Sequence, residues 1–83
     1  MHFDNSAIGK AIRRLRRERK LSQDVLSGFA GIARTHLTMI ENGVMHPNFE
    51  TICRIALALD IKPSELVKEI EAECEGRPLP AIE

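Results

Sequence analysis

Apolar residues in this chain never alternate with polar ones over a strand's length. They fall three and four positions apart, and glycine, asparagine-glycine and proline cut the pattern into short segments. That spacing places one apolar stripe on a helix, whereas a half-buried strand needs a period of two. The chain is therefore expected to be all-α, without strands.

From Ser6 to Arg19 the apolar residues Ile8, Ile12 and Leu15 form one stripe, with Arg and Lys around the rest of a first helix. Arg16 projects beside that stripe, four residues after Ile12, and a guanidinium there requires an acidic partner from elsewhere in the fold. Ser22 is the expected N-cap of a second helix, with Gln23 and Asp24 in its first turn, Val25, Leu26, Phe29 and Ala30 as its apolar surface, and Gly31 as its end. A third helix is expected from about Arg34 to Glu41, with Leu37 and Ile40 inward and Asn42-Gly43 as a stop that tolerates positive φ. Two short helices joined by a tight glycine-containing turn make a helix-turn-helix.

A loop through Val44, Met45, His46 and Pro47 leads to Asn48, the expected cap of a fourth helix, with Phe49, Ile52, Ile55, Ala56 and Leu59 at core spacing and an end near Asp60. Pro63 suits the first position of a fifth helix carrying Leu66, Val67 and Ile70, which fades before Gly76 because Pro78 and Pro80 cannot continue it. The expected organisation is an N-terminal arm at 1–7, a folded domain at 8–75 and a flexible tail at 76–83.

With 83 residues, 43% of them hydrophobic, the chain suffices for one domain with a modest core. Its longest uncharged apolar run, Ile55 to Leu59, is far short of the ~20 residues that span a bilayer, so no membrane association is expected. Cys53 and Cys74 lack metal-ligand spacing and no charged-then-apolar leader opens the sequence, which points to a reduced cytoplasmic protein. His2, His36 and His46 have no nucleophile arrangement nearby and there is no glycine-rich phosphate loop. No enzyme activity, cofactor or metal is expected.

The formal net charge is zero, but its distribution is uneven. Residues 1–34 hold eight cations, Lys10, Arg13, Arg14, Arg16, Arg17, Arg19, Lys20 and Arg34, against Asp4, Glu18 and Asp24, a surplus of five that the remainder balances. A basic half and an acidic half would let one face meet phosphate while the other stays clear for a partner.

The stretch from Ile8 to Leu66 resembles the lambda-repressor-like family, the Cro/C1 or XRE type of helix-turn-helix protein. The landmarks are Ile12-Arg13-Arg14-Leu15-Arg16, Leu21-Ser22-Gln23, Leu26, Ala30-Gly31-Ile32, Ile40-Glu41-Asn42-Gly43, Pro47, Ile55-Ala56-Leu57-Ala58-Leu59 and Ser64-Glu65-Leu66, in order and at the family's spacing. The resemblance implies a compact five-helix fold with the helix from about 33 to 41 as recognition helix in the major groove, where base edges present a distinguishable pattern of donors and acceptors.

On that reading Ser22, Gln23, Ala33, Arg34, Thr35, His36, Thr38, Met39, Asn42 and His46 form the DNA-binding set. Arg34 would grip guanine or a phosphate. Thr35 would meet a phosphate or a thymine methyl, Met39 would make apolar contact, and Gln23 would hold a phosphate at a helix N-terminus. Ser22 would serve chiefly as a cap, and His36 would touch a phosphate or simply be exposed. Arg16 and Glu41 stand where the family has a partly buried ion pair.

The sequence also departs from the family pattern. Ala33 replaces a Ser or Thr that would cap the recognition helix, and Val44-Met45 replace a frequent basic pair, leaving His46 as the loop's one candidate cation. Lys62 stands where a capping Ser is common. Val25 and Phe29 are apolar where the family is usually polar, with packing under the first helix or the tail set against an exposed partner-binding patch.

The resulting expectation is a sequence-specific regulator of transcription that binds double-stranded DNA as a symmetric homodimer on a palindromic operator. Val67, Ile70 and Cys74, at i, i+3 and i+7, form either a dimer seam or a face packed on the first helix. The segment Arg34-Thr35-His36-Leu37-Thr38 also resembles the recognition helix of restriction-modification controller proteins. The rival reading is a helix-turn-helix protein-interaction module, such as an antitoxin-like or antagonist-binding partner or a part of a larger complex, using Val25, Phe29 and the acidic fifth helix with Glu65, Glu69, Glu71, Glu73 and Glu75.

Overall fold

The computed structural model describes residues 5–75, which form five helices and, among the described residues, no strand. They are α1 (Asn5–Glu18), α2 (Gln23–Ala30), α3 (Arg34–Glu41), α4 (Phe49–Ala58) and α5 (Pro63–Glu75). Because α1 begins at Asn5, residues 5–7, expected in an N-terminal arm, form its first turn. The rest of the arm, with His2, and the tail at 76–83 lie outside the described residues.

Three of the helices, α2, α4 and α5, start where a side chain satisfies an orphan backbone donor. Ser22 Oγ accepts from Val25 N at 3.1 Å, and Asn48 Oδ1 accepts from Thr51 N at 2.8 Å. Lys62 offers no capping oxygen, but Glu65 reaches back to accept from Lys62 N at 2.9 Å, the reciprocal half of a capping box. Ala33 stands uncapped ahead of α3.

Four helices end alike: the chain turns through one left-handed residue and the next amide bonds back five residues. Ile32 N to Ser27 O, Val44 N to Met39 O, Leu21 N to Arg16 O and Ile61 N to Ala56 O make these closures, around Gly31, Gly43, Lys20 and Asp60.

The core forms where the apolar stripes meet: Ile12 from α1, Leu26 from α2, Leu37 and Ile40 from α3, Ile55 and Leu59 around α4, and Leu66 and Cys74 from α5 are all fully buried. α1 packs on α3 and α5, and α4 bridges α2 and α5. Gly9 permits the α1–α3 approach: a Cβ there would stand 2.5 Å from the carbonyl oxygens of Ile40 and Glu41.

Two expectations are corrected. Ile70 and Cys74 are 4% and 2% exposed, because α5 lays that face on the core beside α1, so Cys74 is closed to a dimer seam, while the half-buried Val67 and the edge of Ile70 open onto an apolar groove. Phe49 shares the helical register of Ile52 but is 74% exposed. It stands in the first turn of α4, at the rim of an apolar groove lined by Ile8, Pro47, Ile52, Val67 and Ile70, where the core has already ended.

Candidate nucleic-acid interface

The short turn between α2 and α3 packs α3 against α2. Leu37 and Ile40 anchor α3 in the core, which turns Arg34, Thr35 and Met39 outward; all three are exposed, and Thr38 is half-buried. With Gln23 these four line one shallow concavity, so the structure brings together five of the ten predicted DNA-binding residues. Ala33 is exposed immediately before them.

Beneath this surface lies a polar cluster centred on Glu41. Arg16 donates to its carboxylate twice, Nε to Oε2 at 2.8 Å and NH2 to Oε1 at 2.9 Å, the two-pronged geometry that suits guanidinium to carboxylate. Glu41 is 3% exposed and Arg16 8%. Arg16 also donates to Leu21 O at 2.9 Å, tying the α1–α2 turn to the same point. Arg13 adds contacts to Glu41 Oε1 at 3.5 Å and Glu41 O at 3.2 Å.

Burial raises the pKa of the Glu41 carboxyl, but the hydrogen bonds from Arg16, Gln23 and Arg13 and the Arg16 charge outweigh it and hold the group below its ordinary value. Arg16 is correspondingly held above its own ordinary value by the hydrogen bond to Glu41, against the opposing effect of burial.

Gln23, expected to hold a phosphate, is engaged within the fold. Its Nε2 donates to Glu41 Oε1 at 3.0 Å and its Oε1 accepts from Thr38 Oγ1 at 3.0 Å, so one amide connects the start of α2 to the middle and end of α3. Asn42 is similarly engaged, its Oδ1 accepting from Arg13 NH2 at 2.7 Å and turning the side chain's oxygen toward α1. His46 pairs with Asn5 at the start of α1 and lines the apolar groove, a concavity separate from the one at α3. His36 is half-buried on α3.

Asp24, which the sequence reading did not place in the site, stands 3.5 Å from Arg34, both side chains being mostly exposed. Such a pair is weak in water and leaves Arg34 available to a stronger anion. Arg13 and Gly9 were also overlooked as parts of the support; a glycine inside a helical pattern was the one available signal for the latter.

Away from this face, α1 is bound to α5. Arg14 donates to Glu69 at 2.9 Å and to Glu73 at 3.2 Å, and those bonds raise its pKa. Val25 and Phe29 are 41% and 68% exposed, which corrects the expectation that they pack under α1; the tail lies outside the described residues. Among the described residues no cluster of three or more His, Cys, Asp or Glu could hold a metal, and no helix is long and apolar enough to cross a membrane.

Residues 9–71 match the family model described as Helix-turn-helix domain. The chain is 34% identical over 75 residues to the ImmF control region 10 kDa protein of Bacillus phage phi105, covering 89% of this chain and 83% of that protein. It is 37% identical over 62 residues to the same phage's Immunity repressor protein, covering 75% of this chain and 43% of the repressor, so it spans less than half of that relative.

Among solved structures it is similar to the restriction-modification controller protein C.AhdI from Aeromonas hydrophila, with 35% identity, 76% of this chain and 96% of that one covered, and a TM-score of 0.74. The controller protein C.Esp1396I, solved bound to a 19 base pair DNA duplex, superposes with a TM-score of 0.79 over 88% of this chain and 97% of its own at 19% identity, a likeness of fold.

Proposed function

The chain belongs to the helix-turn-helix domain family of transcriptional regulators, of the XRE type, and we propose that it is a sequence-specific, cytoplasmic DNA-binding regulator that acts as a symmetric homodimer on a palindromic operator. The observation that carries this reading is the outward face of α3, where Arg34, Thr35, Thr38 and Met39 share one concavity with Gln23 while Leu37 and Ile40 are fully buried. A helix held in that way can enter the major groove with its N-terminal half leading. Backbone N–H groups at the start of α2 then meet a phosphate.

One short helix reads few base pairs, and two half-sites related by a twofold axis supply the missing specificity. The controller protein C.Esp1396I has been solved as a tetramer in complex with its natural 35 base-pair operator. With Cys74 in the core, the apolar groove around Phe49, which Val67 and Ile70 also line, supports this side of the molecule as the dimer surface. The exposed Val25 and Phe29 favour a second reading, a protein partner on α2.

Selection of bound sequences from a random duplex pool at near-physiological salt, with the protein's mass in solution measured alongside, tests the proposal. A palindrome recovered by a dimer is expected. A folded protein that enriches no sequence, or whose binding does not weaken as salt rises, would move the assignment to the protein-interaction reading.

A further inference from the structure

The cluster below α3 fixes the direction of hydrogen bonds at its surface. Glu41 is buried and held as a carboxylate by Arg16 and Arg13, so it can only accept. The atom of Gln23 that faces it must therefore be the amide nitrogen, which turns Gln23 Oε1 toward Thr38. Thr38 Oγ1 then stands 3.0 Å from two atoms that can only accept, Gln23 Oε1 and the Arg34 carbonyl oxygen. A hydroxyl carries one proton and two lone pairs, and this proton is directed inward. What Thr38 offers to the concavity it lines is oxygen lone pairs.

We propose that Thr38 is a specificity-determining residue that accepts a hydrogen bond from an exocyclic amino group of a base, adenine N6 or cytosine N4, and that Gln23 is the positioning residue that sets this polarity. A freely rotating threonine would serve donor and acceptor edges alike; this one discriminates between them. The inference rests on the regulator reading and narrows it to a hydrogen-bond polarity at one base.

The test uses the duplex recovered by selection, with single bases replaced along the half-site by analogues that lack only the amino group, purine for adenine and 2-pyrimidinone for cytosine. Binding of the full chain is measured for the wild type, Thr38→Val, Thr38→Ser and Gln23→Ala. At one position the amino deletion is expected to weaken wild-type binding about fivefold, the worth of one hydrogen bond. Thr38→Val should be about as weak on the natural duplex and insensitive to the deletion there. Thr38→Ser, which keeps the hydroxyl, should recover the sensitivity, and Gln23→Ala should reduce it.

If no position couples to Thr38→Val, or the coupled group is a base acceptor such as thymine O4 or guanine O6, the proposal is overturned. A sensitivity that Gln23→Ala leaves intact removes Gln23 from it. Failure of the regulator reading is distinguishable, because it appears earlier, as a pool with no enriched sequence.

Discussion

α1 and α3 cross within a Cβ's width at Gly9, yet their polar side chains are engaged in opposite ways. α1 and the turn after it carry most of the chain's cationic surplus, but Arg13 and Arg16 are bound to Glu41, Arg14 to Glu69 and Glu73, and Arg19 to the Leu59 carbonyl oxygen. α3 ends in Glu41, the partner of those arginines, but carries a single arginine, held by the weak contact to Asp24, and Arg34, Thr35 and Met39 are exposed. A basic first half and an acidic second half thus describe, in good part, a monomer neutralising itself. On the proposed reading, bases are read by the helix with little charge, while α1 supplies the rigid platform behind it.

The contrast breaks most severely at Glu41. Glu41→Ala leaves the Arg16 guanidinium buried without its partner and is expected to lower stability by about 3–5 kcal/mol, measurable by thermal or urea unfolding. Because the Glu41 pKa is lowered in the folded state, its contribution is complete above the ordinary carboxyl value of 4.5 and disappears as pH falls through the lower folded value. Wild-type stability should therefore fall on acidification below that value, and Glu41→Gln should flatten this part of the profile.

Arg34→Ala should leave stability within about 0.5 kcal/mol, the arginine being 62% exposed in its side chain, and should lower preference at one base position by about 1–3 kcal/mol in competition binding. A uniform loss across sequences would instead mark Arg34 as a phosphate ligand. Phe49→Asp places a charge on the apolar groove without touching the core, so the fold should persist while sedimentation shows a shift toward monomer. The smallest effect belongs to Arg14→Ala. Its side chain is 36% exposed, and in such partly solvated surroundings the pairs to Glu69 and Glu73 are worth up to about 1 kcal/mol, with base preference unchanged.

Much of the frame was legible in the sequence, because the signals for it are local. Ser22 and Asn48 cap as expected, Gly31 and Gly43 take positive φ, and α3 runs from Arg34 to Glu41. The left-handed turn at Lys20 gave no such sign, since lysine does not favour that conformation, whereas Asp60, a residue type that enters it more readily, stands where the fourth helix was expected to end. Phe49 was misplaced because helical register says which face a residue occupies and not how far the core extends along the axis.

The site shows the same division. Arg16 beside an apolar stripe demanded an acid, and the family resemblance identified Glu41. The links from Glu41 through Gln23 to Thr38 and from Arg13 to Asn42 depend on where α1, α2 and α3 meet, and no spacing within a single helix encodes them.

The most direct test of the division of labour between α1 and α3 is a map of backbone amide shifts when a selected operator duplex is added to the isotopically labelled protein. The account predicts perturbations concentrated at residues 22–24 and 33–39, with the α1–α5 face around Arg14, Glu69 and Glu73 unchanged. Shifts concentrated on that face, or on Val25 and Phe29 with α3 silent, would contradict it.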